Sequence, residues 1–157
     1  MAKINLSDIL HAVEFIDNGS MKLVLDYRKK QDVFETEHPF YAILEVASNN
    51  DPEVVPEESE RLLSFIELVG DHILDGILPQ GETQANTIWD LRENIAPAST
   101  NYGYTLAYDV SLGSESFYNL VERSKEVIAQ STSLTEQEKN NILTVGYGHI
   151  GDGNLHL

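Results

Sequence analysis

The sequence predicts an α+β domain, an antiparallel or mixed sheet with helices on one face, and three observations lead there. Segments of strand character alternate with amphipathic helical segments along the chain. No strand–helix junction carries a phosphate-cradling glycine loop, neither GxGxxG nor GxxxxGK followed by Ser or Thr, so a doubly wound parallel sheet lacks its usual signature. The closing stretch GYGHIGDGNLHL (146–157) reads as a hairpin, which is antiparallel by construction.

The elements follow in order. LHAVEFID (10–17) suits either a buried strand or a helix, because a short apolar run has no decisive period. SMKLVLDYRKK (20–30) reads as a helix with Ser20 at its N-cap. FYAILEVAS (40–48) is a strand, and ASNNDPEVVPEESE (47–60) a loop in which Asn, Asp and Pro mark a turn. EESERLLSFIELVG (57–70) is an amphipathic helix with apolar residues at 62, 63, 66 and 69, and Gly70 stops it. DGILPQ (75–80) is short and extended, and ETQANTIWDLRENIA (82–96) is one helix with Ile88, Leu91 and Ile95 on one side.

YGYTLAYDVSL (102–112) alternates as a strand, with Tyr102, Tyr104, Leu106, Tyr108 and Val110 on one face. SESFYNLVERSKEVIAQ (114–130) is a helix with Phe117, Leu120, Val121 and Ile128 inward. Thr135 and Glu138 form a capping-box pattern that opens a short helix, and TVGYGHI (144–150) returns as a strand.

Size and charge narrow the function. With 157 residues, 41% hydrophobic and 23% charged, the chain holds one core's worth of sequence. No apolar run approaches the ~20 residues of a membrane span, and the N-terminus resembles neither a signal nor a transit peptide. A net charge of −16 disfavours nucleic acid, since only RKK at 28–30 clusters basic residues. The absence of cysteine excludes disulfides, thiolate metal sites and thiol nucleophiles.

With Asp152 and Gly153 at the centre of the turn, His149 and His156 become directly opposed neighbours, Cβ atoms about 4.5–5.5 Å apart. Two imidazoles so placed can chelate one divalent cation, at about 2.0–2.1 Å if it is zinc. They can equally form an inert hydrogen-bonded pair. Ile150 and Leu155 fall on the opposite face, toward the core. Arg92 has Trp89, Ile95 and Ala96 as helical neighbours and no local acid partner. It suits bidentate capture of a carboxylate, with a solvated or tertiary-paired arginine as the alternative.

YGHIGDGNLHL resembles the C-terminal cap-domain signature of the FAD-linked D-2-hydroxyacid dehydrogenases, the flavin oxidases that include D-2-hydroxyglutarate and D-lactate dehydrogenases. VEFID (13–17), HPFYAILEVASNN, IWDLREN and YDVSLGSESFYNLV resemble the same family in the same order, across nearly the whole chain. The resemblance implies an antiparallel sheet flanked by helices. It implies a D-2-hydroxyacid substrate and a complete enzyme that works as a homodimer and holds FAD mainly in a separate N-terminal domain. It carries metal ligation, typically of zinc, onto His149 and His156, and substrate carboxylate binding onto Arg92. The third ligand and the catalytic base it places in a later segment, so residues 1–157 read as a cap domain incomplete at both ends and inactive alone. A mitochondrial location follows by analogy, with the cytoplasm as the alternative.

Two departures weaken carboxylate binding: Ala107 stands where the family has lysine, and Ala96 where it has threonine. Each lost charge-assisted contact costs on the order of 1.5–3 kcal/mol. SLG at 111–113 in place of SLP is a lesser change. The alternative to an oxidoreductase piece is a stand-alone acidic metal-binding module that completes its site with a carboxylate such as Glu82 or Glu93. The two readings differ over the last strand, which an incomplete cap would leave as an edge exposing Leu155 and Leu157.

Overall fold

The computed structural model describes residues 1–47 and 56–157. Among the described residues, five strands form one sheet: β1 (Leu10–Asp17), β2 (Phe40–Val46), β3 (Asp109–Ser111), β4 (Tyr147–His149) and β5 (Asn154–His156). Their order is β2-β1-β4-β5-β3, and every pairing is antiparallel. The helices are α1 (Ala2–Asn5), α2 (Asn18–Arg28), α3 (Pro56–Val69), α4 (Glu82–Glu93), α5 (Ile95–Tyr102), α6 (Asn119–Gln130) and α7 (Glu136–Asn141), with a 3₁₀ turn at Gly70–His72. Among the described residues no helix is long and apolar enough to cross a membrane.

The ambiguity at residues 10–17 resolves as strand, and the reason is burial on both sides. Phe15 and Ile16 are both buried, so β1 shows no apolar–polar alternation. Adjacent strand residues face opposite ways. Ile16 joins Tyr41 under α2, α4 and α5, with Met21, Val24, Leu91, Ile95 and Ala98. Phe15 joins Leu155, Phe117 and Val121 beneath α6. Helices therefore cover both faces of the sheet, where the sequence pattern suggested one. A third cluster of Leu6, Ile9 and Phe65 seats α3.

Asp17, only 1% exposed, closes β1 and opens α2. It, and not Ser20, is the N-cap: its Oδ1 accepts from the Ser20 amide at 2.7 Å, while the Ser20 hydroxyl donates to the Gly146 carbonyl at 3.3 Å. Its Oδ2 accepts from the Gly146 amide at 2.9 Å and the Tyr118 hydroxyl at 3.0 Å. One carboxylate thus ties β1, α2, the approach to β4 and the start of α6 together.

Burial, and secondarily the Asp17 charge, raise the Tyr118 phenol above its ordinary value. An unfolded chain loses that proton near pH 10, whereas the folded one retains it, so stability is full below about pH 10 and falls as pH rises beyond it. Tyr118→Phe is expected to flatten the alkaline limb of a Tm-against-pH curve. An unchanged slope would contradict this role for the phenol.

Other segments depart from the sequence reading. The helix expected over 82–96 breaks at Asn94 into α4 and α5. In α3 the inward residues are Leu62, Phe65 and Val69, while Leu63 and Ile66 are exposed. The strand expected over 102–112 shrinks to β3; Tyr102 ends α5, and Tyr104, Leu106 and Tyr108 are exposed, Tyr104 at 96%. The expected loop at 47–60 and the end of the strand at Ser48 lie largely outside the described residues. The Thr135–Glu138 capping box is present.

Candidate functional site

The closing hairpin forms, in a different register. Tyr147 pairs with His156, Gly148 with Leu155, and His149 with Asn154, around a four-residue turn at 150–153. The longer loop replaces the expected two-residue Asp-Gly turn, with Asp152 Oδ1 accepting from the Asn154 amide at 3.1 Å and Gly153 at φ 79°. A slip of two residues preserves faces. His149 and His156 are therefore diagonal neighbours and not directly opposed, yet their rings still meet edge-to-face at 5.4 Å between centroids. Ile150, expected in the core, is exposed; Leu155 is fully buried.

β5 lies between β4 and β3, so it is not an edge. Tyr108 and Leu157 exchange backbone hydrogen bonds at 2.9 Å beyond its end. The expected exposure of Leu155 and Leu157 is not found, since one is buried and the other half-buried. The edges are β2 and β3.

Strand register gathers the polar residues onto the face that carries Ile16. Ile16, Tyr147, His156 and Asp109 form one row across β1, β4, β5 and β3. Glu14 shares that face two residues along β1, and α4 lowers Arg92 onto it. The Arg92 Nε donates to Glu14 Oε2 at 2.7 Å, and Glu14 Oε1 meets His149 Nδ1 at 2.8 Å. The Arg92 guanidinium lies over the Tyr147 ring, 4.9 Å from its centroid. Tyr147 stacks on His156 at 5.0 Å, and His156 returns to His149.

Five side chains thus close a ring: Glu14, Arg92, Tyr147, His156 and His149. Glu14 is 4% exposed, a buried carboxylate held by two partners. Asp109 stands outside the ring, with Oδ2 at 3.6 Å from His156 Nδ1 and Oδ1 accepting from Asn154 Nδ2 at 2.5 Å.

Arg92 is therefore tertiary-paired through Nε, while its two terminal nitrogens have no protein partner among the described residues. A planar fork left open in this way suits a carboxylate. Burial lowers the His156 pKa below its ordinary value, which favours the neutral imidazole that a metal needs. Burial likewise raises the Tyr147 phenol, so its ring stays uncharged beneath the guanidinium.

The donor chemistry of the two imidazoles, each with a carboxylate near its Nδ1, fits a divalent cation at Nε2. Among the described residues, however, no group of three His, Cys, Asp or Glu side chains is placed to hold one. The carboxylates that meet the imidazoles are Glu14 and Asp109, not the expected Glu82 or Glu93. The open concavity lined by Glu45, Asn86, Trp89, Asp90 and Glu93 is acidic, and the cations beside it, Arg28 and Lys30, are already paired with Asp90 at 2.9 and 2.8 Å, so it is no cradle for the pyrophosphate of FAD.

Glu14 is the largest omission of the sequence reading, and a signal for it existed. It shares the face of Ile16 within a strand otherwise built for burial, and a buried acid requires partners. Asp109 and Tyr147 became visible only once the cross-strand register was known.

Residues 4–157 match the family described as FAD linked oxidases, C-terminal domain. The mitochondrial D-2-hydroxyglutarate dehydrogenase of Danio rerio is 37% identical over 154 residues, 97% of this chain and 26% of that protein. A Schizosaccharomyces pombe protein assigned as a mitochondrial D-lactate dehydrogenase is 35% identical over 157 residues, 98% of this chain and 29% of that protein. The mitochondrial D-2-hydroxyglutarate dehydrogenase of Arabidopsis thaliana is 34% identical over 160 residues, 99% of this chain and 26% of that protein. The chain spans under a third of the length of these relatives.

Proposed function

The chain belongs to the FAD-linked oxidases, as a C-terminal domain of that family, and from that premise we propose that it forms the substrate-facing part of an FAD-dependent oxidoreductase. The substrate is a D-2-hydroxyacid, D-2-hydroxyglutarate or D-lactate, and the product a 2-oxoacid. The observation that carries this reading is the ring on the sheet face, which sets the open fork of Arg92 beside the His149–His156 pair.

In this reading Arg92 binds the substrate carboxylate through its terminal nitrogens, and Tyr147 supports the guanidinium from below. His149 and His156 hold a divalent cation, zinc being the candidate, through their outer nitrogens. When bound, such a cation supplies Lewis-acid polarisation of the substrate hydroxyl. The third ligand, the base and the flavin site are assigned to other parts of the complete enzyme, so this chain alone is inactive. A mitochondrial location and a homodimeric complete enzyme complete the proposal; the names of the relatives support the location.

Calorimetric titration of the chain with Zn²⁺ tests the metal assignment. Two histidines without a third strong ligand are expected to bind more weakly than micromolar, and either His149→Ala or His156→Ala abolishes that binding. D-lactate or D-2-hydroxyglutarate, present with the metal, is expected to tighten uptake in an Arg92-dependent way. Binding indifferent to both histidines would overturn the assignment. Micromolar or tighter binding would make a stand-alone acidic metal module the better reading.

A further inference from the structure

We propose that Glu14 is the positioning residue of this site: one buried carboxylate that sets both the tautomer of His149 and the orientation of the Arg92 fork. The idea rests on the functional reading above and deepens it. An ionised carboxylate can only accept hydrogen bonds. At 2.8 Å from Glu14 Oε1, His149 Nδ1 must therefore carry the proton, which leaves the Nε2 lone pair outward for a metal. At 2.7 Å from Glu14 Oε2, the Arg92 Nε is consumed, so the guanidinium turns its two terminal nitrogens outward together.

The burial of Glu14 makes this arrangement restrictive. Deep in β1 at 4% exposure, its carboxylate has no water to fall back on and is held from both sides. The two groups assigned to metal and substrate are thereby referenced to the same atom pair. Arg92 also stacks on Tyr147, and Tyr147 on His156, so the second histidine is registered to the first through the opposite side of the ring. Asp109 offers His156 a looser counterpart at 3.6 Å.

The test reads the tautomer directly, by ¹⁵N-edited NMR of the imidazoles in the metal-free chain at about pH 8, above the ordinary histidine range near 6.5. His149 is expected as the Nδ1–H tautomer in the unsubstituted chain. In Glu14→Gln the amide oxygen can still receive Arg92, which leaves the amide N–H₂ facing His149 Nδ1. The ring is then expected to switch to the Nε2–H tautomer, and zinc affinity to fall by roughly 10–100-fold, the usual effect of losing such an outer partner. A general loss of packing would lower Tm without changing the tautomer of a ring still folded in place.

An Nε2–H tautomer in the unsubstituted chain would overturn the proposal without any variant. So would an Nδ1–H tautomer with unchanged zinc affinity in a folded Glu14→Gln. If the unsubstituted chain takes up no zinc, the metal assignment of the previous section fails, while the tautomer still decides the role of Glu14.

Discussion

Asp17→Ala is expected to destabilise the protein by on the order of 3–5 kcal/mol, because it strips three donors of their acceptor at once. The cap of α2 is lost at the Ser20 amide, the Gly146 amide loses its partner beside β4, and the Tyr118 hydroxyl is left facing a small apolar side chain. The Ser20 and Gly146 amides cannot reach solvent in place, since both residues are buried; among the described residues, the half-buried Tyr118 hydroxyl keeps only the Lys125 ammonium, at 3.4 Å. A domain of this size has a total stability of about 5–15 kcal/mol, so the loss would leave it near the folding threshold. Urea denaturation of the variant and the unsubstituted chain measures it directly. Asp17→Asn keeps one acceptor for Ser20 but turns an amide N–H₂ toward the other donors, and should fall between the two. A loss below about 1 kcal/mol for Asp17→Ala would mean that the three donors find other partners.

Gly148→Ala is the second severe change, for a different reason. Gly148 sits at φ 152°, and a Cβ built there would overlap the Asn154 carbonyl oxygen and lie 3.1 Å from Leu155 Cα. The obstacles are backbone atoms of the paired strand, which cannot rotate aside as a side chain does. The hairpin must open, and with it the geometry that brings His149 to His156. A cost above roughly 3 kcal/mol is expected, with zinc binding lost even where the rest of the fold survives. Gly151→Ala supplies the contrast: its Cβ would meet nothing closer than Val13 Cβ at 3.6 Å, an ordinary contact. That variant should stay within about 1 kcal/mol of the unsubstituted chain. Equal behaviour of the two would remove the hairpin from the argument.

The sequence revealed the site in proportion to how local each signal was. The capping box at Thr135 and Glu138 involves four consecutive residues, and it forms as read. The hairpin at 146–157 was also legible, because Gly and Asp punctuate it within a dozen residues. Its register was not, since the choice between a two- and a four-residue turn depends on what β1 and β3 require on either side. His149 and His156 remained neighbours only because the slip was even-numbered. Arg92 had no acid on its own helix, and the partner that it found, Glu14, lies 78 residues away. The long aromatic alternation at 102–110 misled, because period two marks a strand only where a neighbour exists to pair with it. Beyond Asp109–Ser111 the pairing continues only through Tyr108 with Leu157 on one side and the Leu112 amide on the Gly153 carbonyl on the other, among the described residues.

The sheet order also governs how this chain can fold. β1 meets β2 early, across a short span, but its other edge waits for β4, and Glu14 and His149 are 135 residues apart in sequence. β3 likewise has no strand to join until β5 exists, although it precedes β5 by more than forty residues. During synthesis the growing chain therefore carries two bare strand edges, and it closes the gap only when residues 147–156 slot between them. Pairings of such long sequence separation are slow to find. While they are pending, an open hydrogen-bonding edge is available to any other extended chain. The arrangement that builds the ring of site residues from distant segments thus leaves the inner edge of β1 unpaired until the central hairpin arrives.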